Sequence, residues 1–125
     1  MGIKFMDKYY RKMTTEEFAD RILVNHNKQK RVFEQSEVDT LDRIIREILD
    51  SRNRKFRVSW SFTKIDYSYR IDYLFRTDFH RPVGELYIWK WGDDDYYVVK
   101  TEKGASFMCD QMRGVKQMLQ DEGTI

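Results

Sequence analysis

The chain has 125 residues, 41% hydrophobic and 35% charged, which fits one globular domain (1–125) able to fold without cross-links. Twenty-three Lys and Arg stand against 21 Asp and Glu, and a net charge of +2 is too balanced to imply nucleic acid or an anionic membrane by itself. Cys109 is the only cysteine, so no disulfide forms within the chain, and a reducing, cytoplasmic setting is expected.

No run approaches the roughly 18 apolar residues of a membrane helix, and no membrane partner is expected. The start, Met1-Gly2-Ile3-Lys4-Phe5-Met6, lacks the apolar core of a signal peptide. Eight Tyr, eight Phe and three Trp accompany a single Pro, so bulky side chains must fill the core.

Residues 1–13 are basic and aromatic and read as a flexible lead or an arm laid across the body. Thr14-Thr15-Glu16-Glu17 has the pattern of a capping box, with Thr14 as N-cap. Phe18, Ile22 and Leu23 follow at helical spacing, predicting a first helix that ends near 25–27. After a polar linker, Ser36 is expected to cap a second helix. Val38, Leu41, Ile44, Ile45, Ile48 and Leu49 give that helix a strong apolar stripe through Asp50.

The period then changes from helical to two. Phe56, Val58, Trp60 and Phe62 alternate with Arg57, Ser59, Ser61 and Thr63, predicting a half-buried strand whose aromatic face joins the second helix in the core. Residues 65–76 alternate in the same way and close an antiparallel hairpin with it. Residues 77–84, containing Pro82, are expected to be a loop. The third strand, 85–91, and the fourth, 96–101, are apolar on both faces and flank a Gly92-Asp93-Asp94-Asp95 turn. A short fifth strand over 105–109 leads to Asp110 as N-cap of a last helix bearing Met112, Val115, Met118 and Leu119. Gly114 inside that helix predicts a close contact with the sheet, and Gly123 ends the helix.

The expected fold is therefore α+β. An antiparallel meander sheet of about five strands follows two N-terminal helices and precedes one C-terminal helix (ααβββββα). This element order resembles the frataxin-like arrangement of terminal helices flanking an antiparallel sheet. The resemblance is one of order alone and implies no activity.

Two residue sets are candidates for binding. Tyr87, Trp89, Trp91 and Tyr97 form an interaction or self-association surface if helices leave their sheet face bare, because Tyr and Trp bury large areas at little rotamer cost. Arg52, Arg54, Lys55, Arg57, Arg70 and Arg76 form the alternative, a nucleic-acid surface, with cations for phosphates beside aromatics for bases. Asp66 and Asp72 interleave with these arginines and would neutralise them as cross-strand pairs.

Catalytic motifs are missing. Asp93-Asp94-Asp95 lacks the spacing and distal Glu of a calcium loop. His26 and His80 are too few for a zinc site. Cys109 has no activating neighbours in sequence, and no Gly-rich phosphate loop or Ser-centred elbow occurs. The expectation is a small non-catalytic, cofactor-free module that binds a protein partner or a second copy of itself through its aromatic sheet. Its size and composition suit a phage-type accessory or inhibitor protein.

Overall fold

The computed structural model describes residues 8–24, 32–65, 68–91, 96–123 and 125. Six antiparallel strands form one sheet in the order β1-β6-β5-β4-β3-β2. They are β1 (Tyr10–Met13), β2 (Arg57–Ile65), β3 (Ser68–Arg76), β4 (Pro82–Trp91), β5 (Tyr96–Thr101) and β6 (Ser106–Asp110). Three helices, α1 (Thr15–Phe18), α2 (Gln35–Ser51) and α3 (Gln111–Glu122), pack on the sheet, and α1 runs on into wider π-helical turns over Ala19–Val24.

The sheet thus has one strand more than expected. Residues 10–13, read from sequence as part of an arm, form β1 and pair with β6 from Tyr10↔Cys109 to Met13↔Ser106. The four residues are too few to show an alternation, and Arg11 and Lys12 disguise what there is. β4 begins at Pro82, inside the expected loop. Proline is tolerated at the first residue of a strand because it withholds a donor there.

Helices cover both faces of the sheet, unequally. On one face α2 and α3 bury Leu41, Ile45, Ile48, Met118 and Leu119 against Ile71, Tyr73, Leu86, Ile88, Val99 and Phe107. On the other, Phe18 and Ile22 bury against Met13, Trp89, Val98 and Met108. The two-sided apolar strands β4 and β5 lie at the centre, where both layers reach them.

Capping explains the helix starts. Thr14 Oγ1 accepts the Glu17 amide at 3.0 Å, completing the capping box read from the sequence. α2 begins earlier than Ser36: its N-cap is Glu34, whose amide donates to Glu37 Oε1 at 2.9 Å. At Gly114 an added Cβ would lie 2.3 Å from the Tyr9 carbonyl oxygen, so only glycine lets α3 approach this backbone. The same carbonyl accepts the Asp110 amide at 2.7 Å and ties the lead into β1 to the start of α3.

Candidate functional site

β2 is the outermost strand on its side of the sheet. It pairs with β3 over nine continuous positions, Arg57↔Arg76 to Ile65↔Ser68. No proline or bulge interrupts it, so its outer edge is a regular row of backbone donors and acceptors. Alternation directs Val58, Trp60 and Phe62 to the α2 side and Ser59, Ser61 and Thr63 to the other.

The α2 layer does not reach far enough to cover this strand. Val58 is half-buried against the core, whereas Trp60 is 39% and Phe62 53% exposed. The two rings stand edge-to-face, with centroids 5.2 Å apart and planes at 76°. Buried Phe33 lies beside Phe62, 6.5 Å between centroids, and is stacked on Tyr97 at 6.1 Å. Val32, also exposed, precedes it. Phe79 is more exposed still, at 94%, but it is a single residue in the turn between β3 and β4. These positions correct the expectation that Trp60 and Phe62 share the core of Ile44, Ile45 and Ile48, which are indeed buried on α2.

The opposite face of the same wing carries a shallow groove of mixed character, about 270 Å³, whose lining includes Ser59, Trp60, Ser61, Asp72, Leu74 and Tyr87. Asp72 is saturated by its neighbours. It accepts Arg70 Nε at 2.5 Å, Arg70 Nη2 at 3.0 Å and Thr63 Oγ1 at 2.8 Å. The Arg70 guanidinium also lies over the rings of Tyr87 (4.7 Å) and Trp89 (5.6 Å). Tyr87 in turn donates to Glu85, and that hydrogen bond, with burial, raises its phenol above the ordinary range.

The four aromatics singled out in the sequence do not form one surface. Trp89 is only 5% exposed and packs edge-to-face under Phe18, 5.5 Å between centroids. Tyr87 and Trp91 are half-buried beside it. Tyr97 is 3% exposed and lies on the other side of the sheet. The register is the reason: Trp91 pairs with Tyr96 and Lys90 with Tyr97, so Tyr96, not Tyr97, shares the tryptophan face.

The basic candidates do not share one role, and Arg52 and Arg70 are the ones held by several contacts within the fold. Arg52 donates to the carbonyls of Leu119 (3.1 Å) and Gln120 (2.7 Å), capping the C-terminus of α3. Arg57 lies 3.8 Å from Asp78 and directly opposite Arg76. Arg54 lies over the Phe56 ring at 5.7 Å. Lys55 is exposed at the entry to β2.

A second polar cluster joins α2 to the sheet. Lys90 donates to Glu37 Oε1 at 2.6 Å, and the Tyr97 hydroxyl donates to Glu37 Oε2. Burial pushes the Glu37 carboxyl up, but Lys90, Tyr97 and the Glu34 amide together hold it below the usual carboxylate range. A 430 Å³ opening bounded by Glu34, Gln111 and Met112 exposes the rim of this cluster. Lys90 and Glu37 satisfy each other, so the arrangement acts as a clamp.

Cys109 is fully buried, which pushes its thiol far above the ordinary range and keeps it protonated. His80 is exposed with φ +62°, whereas His26 and Asp93-Asp94-Asp95 lie outside the described residues. Among the described residues no group of three His, Cys, Asp or Glu is placed to hold a metal ion, and no helix is long and apolar enough to cross a membrane.

The sequence reading missed Trp60 and Phe62 as surface residues. One signal was available: the first strand of a meander lies at a sheet edge, where a helical layer thins out. Comparison of the chain with protein families, with curated proteins and with solved structures gave no match.

Proposed function

We propose that this protein is a non-catalytic protein-binding module whose binding element is the outer edge of β2. The observation that carries this reading is the Trp60–Phe62 pair, two exposed aromatic rings on a regular nine-residue edge strand. Such an edge offers main-chain hydrogen bonds for affinity and alternate side-chain positions for specificity. The aromatic pair supplies the apolar anchor around which interface energy concentrates. A regulatory or inhibitory role through this strand is consistent with a chain whose buried thiol and mutually satisfied Lys90–Glu37 pair leave little to do chemistry. Nucleic-acid binding has less support, because Arg52 and Arg70 already make several short contacts within the fold.

Selection from a library of displayed decapeptides tests the reading. Binders are expected to carry apolar residues at alternate positions and to lose at least tenfold in affinity, by fluorescence anisotropy, against the Trp60→Ser, Phe62→Ser variant. Peptides without alternation, or equal binding by the variant, would assign the function elsewhere.

A further inference from the structure

The central five side chains of β2, residues 59–63, are arranged symmetrically about Ser61. Reading outward, Ser61 is flanked by two aromatics, Trp60 and Phe62, and these by two small hydroxyls, Ser59 and Thr63. A two-fold contact requires one patch to complement itself, and a central segment palindromic in side-chain type meets that requirement over residues 59–63. Resting on the protein-binding reading above, we propose that the occupant of the β2 edge is β2 of a second copy of this chain, antiparallel, with the two-fold axis at Ser61.

In this register Trp60 of each copy faces Phe62 of the other, so four rings meet on one face of the joined sheet. Directly opposed aromatic pairs are among the favourable cross-strand combinations. On the other face Ser59 meets Thr63 and Ser61 meets Ser61, all small and polar. The charges avoid one another. Lys64 falls opposite Val58, and its ammonium lies over Tyr69 of its own copy, 5.4 Å from the ring centroid, on the β3 side of the strand. No like-charged residues over 58–64 lie opposite each other.

The two-fold axis stands perpendicular to the sheet, so both α2 helices come to the same side. They flank a trough whose floor is the four aromatic rings, with Phe33 beside each Phe62. The contact would therefore gather the exposed rings of both copies side by side and shield their edges along the seam. An edge contact nine residues long belongs at the small end of specific interfaces, below roughly 1,200 Å². Its expected affinity is micromolar.

Sedimentation equilibrium and directed cross-linking test this together. Wild type is expected to pass from monomer to dimer over the micromolar range, and Trp60→Ser, Phe62→Ser to shift that transition at least tenfold upward in concentration. Ser61→Cys places two thiols across the axis at about 5 Å between Cα atoms, within disulfide reach. Ser59→Cys separates its two copies by four residues along the strand, about 13 Å, beyond reach. Mild oxidation should therefore give a covalent dimer of Ser61→Cys and not of Ser59→Cys, and buried Cys109 will not compete.

A wild type that stays monomeric to several hundred micromolar overturns the dimer, as does equal cross-linking of the two cysteine variants. A monomer that still binds selected peptides through Trp60 and Phe62 overturns the dimer alone. A monomer that binds none overturns the protein-binding reading as well.

Discussion

β2 and β4 carry the same kind of aromatic alternation, and their aromatic rings have opposite fates. Trp60 and Phe62 stand on the outermost strand, beyond the reach of α2, and remain 39% and 53% exposed. Trp89 stands at the centre of the sheet, where Phe18 closes over it. Alternation along a strand decides which side chains share a face. Whether that face is covered depends on the strand's lateral place in the sheet and on the width of the helical layer above it. The same chemistry therefore gives core cohesion at β4 and an exposed aromatic pair at β2.

The sharpest way to break this contrast is to delete one ring from each strand. Trp89→Ala should cost about 3–5 kcal/mol, the range for a large aromatic lost from a core that cannot collapse around it. Urea denaturation at neutral pH measures it. A cost below about 1 kcal/mol would mean that the α1 layer does not bury β4.

β4 has a polar anchor on its other face, the Lys90–Glu37 pair. Glu37→Gln should cost about 3 kcal/mol, because Lys90 would keep its buried charge without a counter-charge. The pH dependence follows from the depressed Glu37 carboxyl. A group whose pKa is lowered by folding contributes stability above its unfolded value and loses it as pH falls through its folded value. The gap between wild type and Glu37→Gln should therefore be complete above the ordinary value near 4.5 and narrow below it. Denaturation curves at a series of pH values check this, and a gap that widens on acidification contradicts the clamp.

On β2 the stability effect should be small. Trp60→Ser, Phe62→Ser should cost less than about 1 kcal/mol in dilute solution, because exposed side chains contribute little to the folded monomer. A loss of several kcal/mol would place these rings in the core after all. Comparison with Trp89→Ala under identical conditions gives the difference between edge and centre directly.

Much of this architecture was legible in the chain. The β5 span, the Thr14 capping box, the apolar stripe of α2 and the need for glycine at 114 follow from local rules, and each is present. β1 was hidden because Tyr10-Arg11-Lys12-Met13 is too short for its period to show. The four aromatics of β4 and β5 do not share one surface for a different reason. The expectation for Tyr87, Trp89, Trp91 and Tyr97 depended on the pairing of β4 with β5 and on where α1 lies, and neither is written locally. A shift of one residue in that register carries Tyr97 from one face of the sheet to the other.

The smallest expected effect concerns the arginines of the β2 wing. Replacing Arg57, Arg70 and Arg76 by Ser removes three cations from one polar face. If these residues bound phosphates, affinity for nucleic acid would fall steeply with salt, and the variant would lose both affinity and slope through fewer released counterions. The geometry argues for little change. Arg70 is held by Asp72 and by two aromatic rings, and Arg57 lies near Asp78. Turning Arg70 toward a phosphate would leave Asp72 without its counter-charge, held by Thr63 alone. Anisotropy titrations with single- and double-stranded DNA and RNA at physiological salt should therefore show weak binding that the triple variant barely alters. Tight binding that weakens with salt and disappears in the variant would move the functional face of β2 from its aromatic side to its polar side.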